Sequence, residues 1–407
     1  MSLCYPLSVS IALVGAFLIG GVNRTFAQNA ASENGAKSAR VDATQAALLR
    51  AGANRAQLQM ALKTIPKERR DGMKFLIQNM PDTDLQTLSA KFLLENTAIA
   101  YEARSAAPWK AEISDALFLN DILPYASLNE ARDNSRKRLR DIALPLLADC
   151  KTPGEAALRL NQKLFPLLKV KYSTARNRPD QAPTETMASG IATCSGLSIL
   201  LVDACRAVGI PARIAGTPLW ANGRGNHTWV EVWDGDWHFT GAAEPDEKGL
   251  DHGWFTQDAS EANKNSREHA IYASSFKKTG VSFPLVWDEN LTWVPAVNVT
   301  DRYTPKAALV ADESKTRLLV KVVDAAGRRV VAHITARESG KSKIIFTGDS
   351  KGETADLNDM TAFSVFRTCP PRSYEITVDY AGKTVRQTFK AGAEAQEVLT
   401  VTLNSKA

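Results

Sequence analysis

Thr193-Cys194-Ser195-Gly196 opens a run in which Leu197, Leu200, Leu201, Ala204, Cys205 and Val208 recur at helical spacing. Apolar residues at that spacing make one face of a helix that packs into a core. Gly209-Ile210-Pro211 ends the run. The glycine supplies a left-handed C-terminal cap, and the proline cannot continue a helix. Cys194 is thereby set in the first turn of a buried helix. A helix start, with its free backbone N–H groups and positive dipole end, is where a thiolate is favoured.

Downstream, 211–217 reads as a short strand. Residues 225–233 and 237–240 flank the turn signal Asp234-Gly235 and read as a β-hairpin. A two-residue turn there would set Trp233 opposite Asp236 and Thr228 opposite Gly241. His227 stands at the start of the first hairpin strand. A lone cysteine is more often a small core hydrophobe. A thiol at a helix start and a histidine at a strand start, distant in sequence, are instead what nucleophilic cysteine enzymes need. The imidazole takes the thiol proton and the thiolate attacks a carbonyl carbon.

The segments TCSGLSILLVDACRAVGIPAR and NHTWVEVWDGDWHF resemble the transglutaminase-like superfamily, most closely its bacterial and peptide N-glycanase-like branches. The resemblance covers about 155–255. It implies an α+β, papain-like core with Cys194 as nucleophile and His227 as base, then acid. In the family an aspartate usually follows the hairpin tryptophan by four residues, with proline after it. Counted from Trp237, that position is Gly241. A carboxylate followed by proline stands three residues on, as Glu244-Pro245, with Asp246 next. The small residues Ala242 and Ala243 would permit a bulge that returns Glu244 to the histidine. Glu244, with Asp246 in reserve, is therefore expected on the other nitrogen of His227; the alternative is two ordinary loop carboxylates. Such a group mainly sets imidazole tautomer and orientation.

A tetrahedral intermediate needs oxyanion donors. The Cys194 backbone N–H is one, and Tyr172 or Gln181 is the side-chain candidate. Trp229 and Trp233 share a strand face with His227, and either line a substrate groove or pack in the core.

At 407 residues and 44% hydrophobic, the chain is long enough for two or three domains. The net charge of +6 comes without a dense basic block; Arg136-Lys137-Arg138 reads as a solvated helix face, and nucleic-acid binding has little support. Without a Gly-rich phosphate loop, CxxC or HExxH, the sequence implies no cofactor and no metal. An apolar run at 7–22 followed by Thr25-Phe26-Ala27 predicts a signal peptide cleaved after Ala27, although no Lys or Arg precedes it. The run is short for a membrane span. A secreted or periplasmic protein follows, with no integral membrane segment after signal removal.

The expected organisation is a disordered leader at 28–41, a helical region at 42–149, the catalytic core at 150–295 and a linker at 296–308. An immunoglobulin-like β-sandwich at 309–407 is predicted from seven strand patterns: 318–323, 330–335, 343–346, 363–366, 374–378, 385–389 and 398–403. Cys194 and Cys205 lie roughly 16 Å apart along one helix, too far for a disulfide. Cys150 and Cys369 could pair in an oxidising compartment.

Together these features predict a secreted thiol enzyme that cleaves or transfers an amide or peptide acyl group of a protein or peptide substrate through a thioester. The alternatives are an isopeptide-forming transglutaminase and an inactive binding module that keeps the fold.

Overall fold

The structure, a computed structural model, describes residues 42–304, 314–367, 370–392, 394 and 396–403. The signal peptide, the leader and Cys369 lie outside the described residues. Among the described residues, no helix is long and apolar enough to cross a membrane.

The N-terminal region is helical: α1 (Ala43–Arg50), α2 (Arg55–Thr64), α3 (Arg70–Asn79), α4 (Asp82–Thr87), α5 (Ala90–Ala106), α6 (Asp115–Asp121) and α7 (Arg136–Ala143). Asp42, Ser89 and Ser114 cap α1, α5 and α6 by accepting otherwise orphaned backbone N–H groups. The apolar faces, Leu58, Met73, Leu76 and Leu93 among them, join a core shared with the next region. Polar clamps fix the join. Trp109 Nε1 donates to the Gly209 carbonyl at 2.8 Å, and the Arg206 guanidinium donates to Ala126 and Asp121 carbonyls. The solvated-face reading of 136–138 is corrected at Arg136. That side chain is buried and donates to the carbonyls of Ile122 and Pro124, while Lys137 and Arg138 stay exposed.

α8 (Pro153–Leu168) starts on the Thr152 cap and ends at Lys169, in the left-handed conformation. Two short parallel strands, β1 (Lys171–Tyr172) and β2 (Ile191–Ala192), bracket α9 (Pro183–Ser189) and lead into α10 (Cys194–Ala207). An antiparallel sheet follows, β3 (Ala212–Thr217), β4 (His227–Trp233), β5 (Trp237–Thr240), β6 (Tyr272–Ser274) and β7 (Ala296–Asn298), in the order β5-β4-β3-β6-β7. Both faces are covered. Ile214, Val230 and Val232 pack with the α10 core, whereas Ala215 and Trp229 pack in a second core with Trp220, Phe255 and Tyr303. The hairpin departs from expectation by one residue. Trp233 pairs with Trp237, so the turn holds Asp234, Gly235 and Asp236, with Gly235 at φ +80°.

The C-terminal region is strand-rich: β8 (Lys315–Val323), β9 (His333–Glu338), β10 (Ile344–Asp349), β11 (Thr361–Phe366), β12 (Ser373–Tyr380), β13 (Lys383–Lys390) and β14 (Gln396–Thr402). Sheets β10-β9-β12-β13 and β11-β8-β14 face each other across Leu318, Val320, Ile334, Ile376 and Val401. No helix occurs among the described residues from 314 onward. This sandwich meets the sheet region through Asp258, whose carboxylate pairs with Arg224 and, at 3.3 Å, with Arg317.

Candidate active site

Cys194 is the first residue of α10, after an extended Thr193. A helix leaves its first backbone N–H groups without intrahelical acceptors. Gly196 lets this helix start sit close against its neighbours: a Cβ there would lie 2.9 Å from Ala192 Cβ and 3.5 Å from Gln181 Cβ. Cys194 is partly exposed, while Cys205, three turns on, is fully buried. Burial pushes the Cys205 thiol up to about 12, which makes it an inert core residue. Cys150 is a free, buried thiol.

His227 opens β4 opposite Thr217. Its ring is 1% exposed and lies among Trp254 (4.7 Å between centroids), Phe255 (4.8 Å) and Trp229 (5.7 Å). Cys194 Sγ, a His227 ring nitrogen and an Asp356 carboxylate oxygen lie within 4.8 Å of one another. His227 Nδ1 is 3.5 Å from Asp356 Oδ2, and Nε2 is 4.0 Å from Glu244 Oε2. Burial by itself would lower the basicity of this imidazole. The Asp356 carboxylate and then Cys194 outweigh it and hold the ring well above the usual histidine range.

The expected site residues divide. The chain turns back at Gly241, with Glu244 N donating to the Gly241 carbonyl at 3.2 Å and Ala243 at φ +63°. That turn carries Glu244 to the Nε2 side of His227, where Trp254 Nε1 donates to it at 2.9 Å. Asp246 is not brought to the histidine; its carboxylate accepts from Lys248 N and closes its own turn. Tyr172 is buried, and its hydroxyl accepts from Leu357 N at 3.2 Å. Burial, then the charges of Asp356 and Cys194, push its phenol up, so it stays protonated beside them. Gln181 is corrected: both amide protons are engaged, by Ser189 Oγ at 3.2 Å and the Ile191 carbonyl at 3.1 Å, which leaves no donor for an oxyanion. The groove reading of the tryptophans is corrected as well. Trp229 is 0% exposed, with Nε1 donating to Tyr303 Oη at 2.8 Å. Trp233 stands at the far end of β4 against Trp237. Both sheet faces being covered, a tryptophan on either is drawn into packing.

Asp356, Trp254 and Phe255 are the site neighbours that sequence reasoning did not single out. Asp356 belongs to 350–360, between strands of different sheets. Arg329 donates to the carbonyls of Asp356 (2.6 Å) and Asp359, and Asn358 N donates to Asp356 Oδ1 at 2.8 Å. Across the gap, Asn358 Nδ2 donates to the Asn226 carbonyl and Arg224 donates to the Asn358 carbonyl, each at 2.9 Å. The only legible signal was a polar connection too long for a tight hairpin, the kind of loop that carries function.

A cavity of about 270 Å³ is walled by Phe165, Tyr172, Leu197 and Glu244 and by Thr354 of the same loop. Thiolate, imidazole and carboxylate are also zinc-ligand types, so Cys194, His227 and Asp356 could hold such an ion. An ion held by all three would take the lone pairs that proton transfer between thiol and imidazole uses.

The family model described as the transglutaminase-like superfamily matches residues 140–259, a span that includes Cys194, His227 and Glu244 but not Asp356. No curated protein matches the chain. Among solved structures, the crystal structure of a candidate cysteine protease from Cytophaga hutchinsonii is similar at 20% identity, with a TM-score of 0.27. The similarity covers 34% of this chain and 46% of that one, so the chain spans less than half of that protein. Residues 140–259, around the helix that begins with Cys194 and the strand that begins with His227, are thus similar to the transglutaminase-like superfamily.

Proposed function

We propose that this chain is an exported thiol enzyme that cleaves or transfers an amide or peptide acyl group through a thioester. The observation that carries the reading is the closeness of Cys194 Sγ to a His227 nitrogen, within 4.8 Å, at the start of a helix. Apo distances of this kind tighten when substrate binds. His227 takes the Cys194 proton and sulfur attacks the carbonyl carbon. The C–N bond breaks and the nitrogen leaves with that proton, so the acyl group remains on sulfur as a thioester. Water then gives a proton to His227 and adds to the carbonyl; the C–S bond breaks, the acid departs and the thiol regains its proton. An amine in place of water gives transfer instead. The Cys194 backbone N–H and the protonated Tyr172 hydroxyl are the oxyanion donors in this scheme, and Glu244 orients His227 from the Nε2 side. The substrate class is a protein or peptide, and the apolar segment at 7–22 with Ala27 supports export.

Alkylation by iodoacetamide near neutral pH, read by intact mass and peptide mapping, tests the reading. Cys194 is expected to label far faster than Cys205 and Cys150, and to lose that advantage in His227→Ala. Equal labelling in wild type and His227→Ala would overturn it.

A further inference from the structure

We propose that the sandwich loop 350–360 is an autoinhibitory latch: it holds the Asp356 carboxylate on the substrate side of the Cys194–His227 pair and has to leave before an acyl group can reach the sulfur. The inference rests on the thiol-enzyme reading above and adds to it how the site is controlled.

The first argument is geometric. A carboxylate that orients a catalytic imidazole sits on the nitrogen remote from the nucleophile. With each partner within hydrogen-bond reach of its own nitrogen, thiol and carboxylate then stand roughly 8 Å apart across the ring. Here an Asp356 oxygen is within 4.8 Å of Cys194 Sγ. Asp356 therefore shares the sulfur's side of His227, and the remote side belongs to Glu244, 4.0 Å from Nε2.

The second argument is steric. A reacting carbonyl carbon has to come within about 3.5 Å of the sulfur. The carboxylate stands in that approach, and the loop leaves His227 1% and Asp356 2% exposed. Its charge adds to the block, since attack develops an oxyanion beside the sulfur and a neighbouring carboxylate opposes it. Leu357 N also engages Tyr172, the side-chain donor assigned to that oxyanion.

The third argument concerns how the loop is held. Arg329 and Asn358 N shape it from within the sandwich. Its hold on the core is polar, through Asn358 to Asn226, Arg224 to Asn358 and Leu357 to Tyr172. Of its two large apolar side chains, Leu357 is 56% exposed and Met360, next to β11, is half-buried. A closure made of few polar contacts, with little apolar burial, is the kind that opens on demand.

Asp356→Ala removes the blocking carboxylate, and Asn358→Ala removes one hold on the core. Full-length wild type and both variants would be treated with a peptidyl chloromethyl ketone, which has to enter the groove, and with iodoacetamide, which is small. Labelling of Cys194 would be timed by mass spectrometry, with circular dichroism to check folding; should Asp356→Ala fail to fold, Asn358→Ala carries the test. The latch predicts at least a tenfold faster reaction with the chloromethyl ketone in the variants and a smaller gain with iodoacetamide. Unchanged rates overturn it. Slower rates overturn it too, and make Asp356 a positioning carboxylate. His227→Ala separates the two readings. If His227→Ala slows Cys194 labelling while the loop variants match wild type, the latch alone fails. If His227→Ala has no effect in any background, the thiol-enzyme reading fails and takes the latch with it.

Discussion

Glu244 Oε2 stands 4.0 Å from His227 Nε2 but takes its hydrogen bond from Trp254 Nε1, at 2.9 Å. The carboxylate is thus held by the indole rather than by the imidazole, and it reaches the histidine side only because the chain doubles back at Gly241. Little room is spare there: a Cβ on Gly241 would lie 2.7 Å from Glu244 Oε2.

Glu244→Gln keeps the shape and removes the charge that orients His227. We expect kcat to fall by roughly 10²-fold with the fold retained. Trp254→Phe frees the carboxylate from its indole donor and should change kcat in the same direction by less. Activity equal to wild type in both variants, with Cys194→Ala dead, would mean that the pair works without Glu244.

The pH dependence of stability has a defined sign. Burial pushes Glu244 up from 4.5 to about 7, with the His227 charge opposing. The unfolded chain then loses a proton that the folded chain keeps, so this group's contribution to stability declines as pH rises from 4.5 to about 7. His227 is raised above 6.5 by Asp356 and Cys194 against the effect of burial. Its contribution is full below 6.5 and is lost as pH climbs through the raised folded value. The Tm of wild type should therefore fall from mildly acidic toward alkaline pH. Glu244→Gln should lack the part of that decline below pH 7, and thermal melts across the range would show whether the two curves differ.

Gly196→Ala puts a methyl 2.9 Å from Ala192 Cβ, a backbone-borne atom that cannot swing aside. Overpacking of this kind destabilises by about 1–3 kcal/mol. It also shifts the turn that carries Cys194, so kcat should drop even well below the melting temperature. Leu200→Ala, a cavity in the same helix, should cost about 2–5 kcal/mol and leave kcat near wild type in the folded protein. Denaturant melts paired with turnover separate the two effects.

Trp229→Phe removes the indole donor to Tyr303, whose hydroxyl in turn donates to Glu231 at 2.8 Å. A loss of about 1–3 kcal/mol is expected from the unsatisfied buried partner, with KM unchanged. A raised KM at unchanged stability would return Trp229 to the substrate groove.

Much of the architecture is written in local pattern. The helical spacing from Leu197 to Val208 and the stop at Gly209-Ile210-Pro211 correspond to α10, which ends at Ala207. Alternation after Leu318 corresponds to seven strands. Such signals are local, because a helix or strand shows its buried face within a few residues of itself. The hairpin was legible as a hairpin but not in its register. Asp234-Gly235 suits a two-residue turn, and the Trp233–Trp237 pairing that excludes one is a cross-strand matter.

What only the tertiary structure decided is which side chains meet. Arg136 looked solvated within its basic triplet, and it is buried because the segment before it folds back and offers the carbonyls of Ile122 and Pro124. Trp229 was open to either a substrate groove or the core, and α11 (Thr256–Ser260) and α12 (Thr300–Tyr303) decide for the core by closing the second face of the sheet over it. Asp356 carries no local mark at all. It is one aspartate in a polar connection, and it meets His227 because the sandwich docks on the core, through Arg224 and Arg317 on Asp258 and through Asn358 and Leu357 of its own loop. Periodicity reports which face of an element is buried. It is silent on contacts between elements far apart in sequence, since those depend on how separately formed units dock, and the meeting of Asp356 with His227 is one such contact.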